Sequence, residues 1–211
     1  MNKDHNILIA CECSGVVRDA FLRAGFNNTY SCDILPSESE YSDNHYQSDV
    51  RPFLKLKWDL LIAHPPCCYL TRAGGNKYGR NVITPADFIK QRWALDFFKS
   101  CLYARAACVA VENPVMLRFP DIPRYNFSVE PYHFGHYPYT KKTCFWTKNL
   151  PDLVPKFKHP PENPISWCDK KRNPAERTRT FRGIAEGMAN QWGCWLINRV
   201  KNGRYYMEGL K

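Results

Sequence analysis

The sequence predicts an α/β fold built on a parallel sheet, and three observations carry that prediction. Four short apolar runs, "NILIAC", "NTYSCDI", "WDLLIAH" and "ACVAVEN", have the length of strands, and each ends in polar residues. Helical patterns follow the first run and separate the third from the fourth. Strands with helices between them cannot be joined by tight hairpins, so they lie parallel.

The elements follow in order. In "SGVVRDAFLRAG", Val17, Ala20, Phe21 and Ala24 share one helical face, with Ser14 placed to cap the helix and Gly25 to end it. Thr84 and Asp87 form a capping box around Pro85 at the first helical position, and Phe88, Trp93, Phe97 and Leu102 follow at near-helical spacing. Just before this helix, "YLTRAGGNKYGRNVIT" carries Gly74, Gly75 and Gly79 and predicts a mobile lid, on which Arg72, Lys77 and Arg80 are placed to hold phosphates. Beyond Pro114, "FSVEPYHF" and "TKKTCFWTK" read as a later strand pair, and 151–164 holds five prolines, an ordered loop or linker. The closing stretch "TRTFRGIAEGMANQWGCWLINRV" puts Phe181, Ile184, Ala185, Met188, Trp192 and Leu196 on one stripe, which predicts a helix packed back on the sheet.

Composition bounds the function. A chain of 211 residues, 44% of them apolar, suits one domain with a substantial core. No run reaches the ~18 apolar residues of a membrane span, and "MNKDHNILIA" lacks the long apolar core of an export signal, so a cytoplasmic protein without a membrane partner is expected. Ten cysteines, most of them inside apolar runs, then read as reduced thiols. Cys101, Cys108, Cys144 and Cys194 read as packing residues. Cys11, Cys13, Cys32, His64, Cys67 and Cys68 are zinc-type ligands, but the chain has no C-x2-C pair, so no metal is expected. The net charge is +10, and the window from Tyr139 to Arg182, with eleven Lys or Arg against four Asp or Glu, supplies a surplus of seven. That density favours a polyanionic partner, nucleic acid first.

Open parallel sheets bind ligands beyond the carboxyl ends of their strands. The residues there are "CECSG", Asp33, "HPPC" and "VENP", joined by Asp49 in "SDV". Small residues at Ser14 and Gly15 admit a ligand to the backbone at a helix start, and Asp33 offers an acceptor to ribose hydroxyls.

The ordered set "CECSG", Asp33, "PPC", "ENP" and "FRGIAEGMANQWG" resembles the cytosine-C5 DNA methyltransferases over roughly residues 6 to 195. The stretch "FGHYPYTKKTCFW" is similar to that family's "YGxPQxRxRxF", with Lys141 and Thr143 at the two arginine positions. The resemblance implies a Rossmann-like methyltransferase sheet with helices on both faces, binding S-adenosylmethionine. It assigns Glu12, Cys13, Ser14 and Gly15 to the methionine side of the cofactor, Asp33 to the ribose, Asp49 to the adenine side and Pro66 to the turn between cofactor and substrate. Cys67 becomes the nucleophile at C6 of the pyrimidine, ionised with help from a helix start or from cations such as Arg72. Glu112 steadies N3, with Lys141 beside it in the catalytic set. Pro66, Asn113, Pro114, Arg72 and Thr143 surround the substrate. The stretch 147–176, proline-rich and basic, stands in place of a target-recognition domain, so binding to DNA is expected to be electrostatic and poorly selective for sequence. Two other readings stay open: an inactive scaffold of this fold that binds nucleic acid or a protein, and a pyrimidine methyltransferase acting on RNA or a free nucleotide.

Overall fold

A computed structural model of the protein describes residues 3–71, 84–167 and 173–201. In chain order the elements are β1 (Ile7–Ala10), α1 (Val16–Arg23), β2 (Thr29–Asp33), β3 (His45–Gln47), β4 (Trp58–Ala63), α2 (Pro85–Leu102), β5 (Ala106–Pro114), β6 (Phe127–Val129), β7 (Tyr139–Thr140), β8 (Thr143–Lys148), β9 (Ile165–Ser166), α3 (Pro174–Thr178) and α4 (Arg182–Lys201). Seven strands form one sheet in the order β3-β2-β1-β4-β5-β8-β6. Strands β3 to β5 along that order are parallel, and β8 runs antiparallel to both β5 and β6. The result is a mixed, mostly parallel, Rossmann-like α/β sheet.

Helices cover both faces. Because side chains alternate along a strand, Ile7, Ile9, Leu60 and Ile62 pack with α1 and α4, while Leu8, Ala10, Leu61 and Ala63 pack with α2. All eight are buried, as expected of central parallel strands. Trp192, Phe21, Phe98 and Phe145 are fully buried among them, each worth roughly 1.5–3 kcal/mol or more of apolar burial.

The predicted stops and stripes hold in several places. Gly25 adopts φ 89°, and the N–H groups of Gly25 and Phe26 donate to the carbonyls of Leu22 and Phe21, closing α1 in a Schellman motif. The Thr84 side chain accepts from the Asp87 N–H, with Pro85 opening α2. Ile184, Ala185, Met188, Trp192 and Leu196 all face the core from α4, and Phe181 lies just before it in the same cluster.

Other expectations change. α1 starts from Gly15 at φ 72°, so Ser14 stands one position before the cap and reaches the helix only through a 3.5 Å bond from the Val16 N–H. α2 buries Ala94, Leu95, Phe98, Cys101 and Leu102, whereas Phe88 and Trp93 are 60% and 51% exposed. The two five-residue steps among Phe88, Trp93, Phe97 and Leu102 carry them off a single face, while 94, 98, 101 and 102 stay on one. Cys194 is exposed rather than packed. The short strands β3, β7 and β9 had no apolar run to announce them. The proline segment is docked on α4: the Gln191 side chain bonds both N–H and carbonyl of Val154, Trp192 donates to the Pro151 carbonyl, and Leu153 is buried. Among the described residues no helix is long and apolar enough to cross a membrane.

Candidate active site

The strand order reverses between β1 and β4, since β2 and β3 lie on one side of β1 and β5 lies beyond β4. In open α/β sheets the crevice beyond the carboxyl ends at such a reversal is the usual ligand site. Glu12 follows β1, Asp33 ends β2, Asp49 follows β3, His64 to Cys67 follow β4, and Glu112 to Pro114 end β5. The chemically rich turns of the sequence therefore share one edge of the sheet.

On the β4–β5 side the residues interlock. His64 continues the ladder, its N–H donating to the Ala10 carbonyl, and its Nδ1 stands 3.0 Å from Glu112 Oε2. Asn113, 1% exposed, donates from Nδ2 to the Pro65 carbonyl at 2.9 Å, which ties the "HPPC" turn to β5. The turn is closed further on, where the N–H groups of Leu70 and Thr71 both donate to the Cys67 carbonyl. Pro65 is buried while Pro66 is exposed at the crest, and Pro114 closes β5 in register with Thr143.

Electrostatics join Cys67, Glu112 and Lys141. Burial works to raise the Glu112 carboxyl, but the His64 hydrogen bond and the charges of His64 and Lys141 outweigh it and hold it below the ordinary carboxylate range. Burial and the charges of Glu112 and Cys68 push the Cys67 thiol up, and Lys141 pulls it down. Among the described residues, then, the surroundings of Cys67 raise its thiol rather than lowering it as expected. Arg72 and most of the expected lid, 69–84, fall at 72–83, outside the described residues, while Leu70 and Thr71 at its start are buried. Lys141 is anchored by its Nζ on the Arg179 carbonyl at 3.0 Å and by its N–H on Glu130 Oε2 at 2.6 Å. Thr143, expected against substrate, is buried and donates to the Lys141 carbonyl, so it shapes the Lys141 turn.

The β1–β2 side is spent on packing. Glu12 is buried and accepts the N–H groups of Val17 and Arg18 at 2.7 and 3.2 Å, with Ser14 donating to it at 3.4 Å. Its carboxylate is the main cap of α1, with Ser14 Oγ accepting the Val16 N–H at 3.5 Å. Gly15 offers no open approach: a Cβ there would meet Arg18 Nη2 at 2.5 Å and Ser39 Cβ at 2.7 Å. Arg18, fully buried, bonds Asp19 and Ser31, and the Glu38 N–H donates to the Cys13 carbonyl. Asp49 is half-exposed and bound to the Arg51 side chain and N–H, which lower its carboxyl.

The β2 end presents an acceptor and apolar side chains to solvent. Asp33 Oδ1 accepts the Leu35 N–H, Oδ2 has no partner among the described residues, and Ile34 and Leu35 are 74% and 54% exposed beside it. An acceptor next to an open aliphatic shelf fits a ribose and a purine ring; the Gly15 side, filled by Arg18 and Ser39, does not offer the approach expected there.

Sequence reasoning gave His64 only a possible metal role and passed over Arg18 and the exposed Ile34. The signal for His64 was its place between the strand and "PPC"; no local signal marked Arg18 as buried. Comparison of the chain with protein-family models and with curated proteins gives no match to either.

Proposed function

We propose that the chain is an S-adenosylmethionine-dependent methyltransferase acting on C5 of cytosine in DNA through a covalent bond from Cys67. The observation that carries this is the convergence of Cys67, Glu112 and Lys141 at the ends of β4 and β5, beside the reversal of strand order. Cys67 attacks C6 of the pyrimidine as its thiolate, C5 becomes nucleophilic and takes the methyl group, a base then removes the C5 proton, and elimination breaks the C6–S bond to release the thiolate. Glu112 hydrogen-bonds the N3 and N4 edge of the ring through Oε1, its other oxygen being held by His64. The Lys141 cation offsets charge that develops on the ring. Asn113 keeps the Cys67 turn against Glu112. Asp33, Ile34 and Leu35 hold the cofactor's nucleoside, and the cofactor supplies the methyl group. Reaction at a cytosine in a duplex requires the base to leave the stack. The reading places the chain in the cytoplasm, where its thiols stay reduced; the described cysteines are all free.

A second reading, an RNA or free nucleotide as substrate, is favoured by the docking of 151–154 on α4, which binds that part of 147–176 to the core instead of extending it as a reading element. One experiment separates the readings. The protein is incubated with S-adenosylmethionine and 5-fluorocytosine in single-stranded DNA, duplex DNA, RNA or nucleotide, and adducts stable to denaturation are mapped by mass spectrometry. The expected result is an adduct at Cys67, fastest on single-stranded DNA, with Cys67→Ser slower by roughly 10³-fold or more, about 4 kcal/mol in the barrier. An adduct on RNA or nucleotide alone moves the substrate, and no adduct on any of them selects the inactive scaffold.

A further inference from the structure

The ends of β4 and β5 set an imidazole against a carboxylate. Ala63 and Val111 are in register, so His64 and Glu112 follow side by side on the same face of the sheet. Both backbones are held by ladders, His64 through its N–H on the Ala10 carbonyl and Glu112 opposite Phe145 of β8. Their side chains are 12% and 11% exposed, with Nδ1 3.0 Å from Oε2. Oε1 has no hydrogen-bond partner among the described residues, and the Glu112 charge acts on the Cys67 thiol. Glu12, in the same crevice, shows what the His64 bond does. No hydrogen bond joins Glu12 to His64 among the described residues, and burial pushes its carboxyl up. For Glu112 too burial is the largest influence and raises the carboxyl, but the His64 hydrogen bond leads the influences that bring it down. An ionised carboxylate only accepts hydrogen bonds, whereas a protonated one also donates. A pyrimidine with an amino group at C4 offers a donor there, and one with an oxo group offers an acceptor.

We propose that His64 makes the site selective for 4-amino over 4-oxo pyrimidines, its Nδ1–H fixing Glu112 by Oε2 and leaving Oε1 to the ring edge as an acceptor. The inference rests on the reading of Glu112 as the group that meets that edge. With His64 in place, Oε1 accepts the N4–H of cytosine and repels the O4 of uracil or thymine. A site built to bond an N–H rejects the analogue that lacks it, because its buried acceptor is then left unpaired. Without His64, burial moves Glu112 toward its acid form, which donates to O4, and the side chain loses the bond that holds its rotamer. His64 is thus a positioning residue, acting through Glu112. The 4-oxo bases are refused at this carboxylate rather than by an element that reads sequence.

Two variants separate the donor from the bulk of the side chain. His64→Asn sets an amide N–H near the Nδ1 position, and His64→Leu fills the volume without a donor; urea denaturation checks that each is folded. Each protein is titrated, with S-adenosylmethionine present, with single-stranded oligonucleotides carrying one cytosine or one uracil flanked by abasic sites. Adduct formation is timed on the same strands carrying 5-fluorocytosine or 5-fluorouracil. The wild type should prefer the cytosine strands by roughly 10- to 100-fold, the worth of one hydrogen bond to a charged group. His64→Asn should keep most of that preference, and His64→Leu should lower it by about tenfold or more. A His64→Leu protein that is weaker on both bases alike, its ratio unchanged, overturns the proposal, leaves the methyltransferase reading standing and reduces His64 to packing. So does a His64→Asn protein as unselective as His64→Leu. If His64→Leu does not fold, His64→Gln, whose amide lies nearer the Nε2 position, is compared with His64→Asn on the same terms. If the wild type forms no adduct, the methyltransferase reading fails and the binding ratios decide: a cytosine preference that His64→Leu loses supports the proposal, and a wild type without preference overturns it.

Discussion

Glu12 and Glu112 are both buried carboxylates beside His64, and their acidities move apart. For Glu12, desolvation exceeds the help of His64, two backbone N–H groups and Arg18, and the carboxyl is pushed up. Glu112 meets the same desolvation, but a direct His64 hydrogen bond and Lys141 carry it down. The two sides of the crevice differ accordingly. The β1–β2 side, around Glu12, Gly15 and Arg18, turns its polar groups inward to hold a helix start and a loop. The β4–β5 side leaves His64 Nε2 and Asn113 Oδ1 without hydrogen-bond partners among the described residues; Arg18 Nη2 on the other side lacks one too, but it lies 2.8 Å from its ion-pair partner Asp19 Oδ1. An orphaned polar atom in a packed interior is costly to keep, and such costs concentrate at functional sites.

Changes that should break this contrast run from large to small. Arg18→Met removes a buried cation and strands Asp19, so urea denaturation should show a loss of about 3–5 kcal/mol. A loss below about 1 kcal/mol would remove the packing role assigned to the β1–β2 side. Asn113→Ala leaves the Pro65 carbonyl without its donor and should cost about 1–3 kcal/mol while slowing adduct formation more than it slows folding. Unchanged adduct kinetics would separate the "HPPC" turn from its tether.

The two carboxylates should then oppose each other in pH dependence. Glu12 has a raised folded pKa, so its contribution to stability is fully present below the ordinary carboxylate pKa and is lost as pH rises through the folded value. Glu112 has a lowered folded pKa, so its contribution is present above the ordinary value and is lost as pH falls through the folded one. Denaturation between about pH 3 and 7 should show Glu12→Gln gaining on the wild type as pH rises and Glu112→Gln losing ground over the same range. Slopes of the same sign would abolish the contrast. Asp49→Asn is the smallest change, because its ion pair with Arg51 lies at the surface: a Tm shift under about 2 °C is expected, and a larger one would give Asp49 a structural task the contacts do not show.

Local signals made much of this molecule legible. The Gly25 stop, the Thr84 cap and the α4 stripe each rest on residues within a few positions of one another, where backbone geometry alone makes the pattern. The gathering of "HPPC" and "VENP" at one edge was legible too, because consecutive parallel strands joined through helices place their carboxyl ends together. β3 was not, since His45 to Gln47 carry no apolar run and are held as a strand by pairing with Ser31 to Asp33. The basic window was legible as charge but not as contacts, for Lys141 and Arg179 are drawn into bonds within the chain.

The sequence by itself determined the order of β1, α1, β2, β4, α2, β5 and the closing α4, the helix ends at Gly25 and Thr84 and the set of polar residues beyond the strands, all consequences of short-range periodicity and capping. Only the tertiary structure decided what those residues do with their polar atoms. Glu12 became a cap because α1 starts over it, Gly15 became the space for Arg18, Thr143 turned to the Lys141 carbonyl, and His64 met Glu112 because β4 and β5 are neighbours in register. A side chain's partners across 48 positions of chain are set by how strands align and what burial removes from water, and neither quantity is written in the residues nearby.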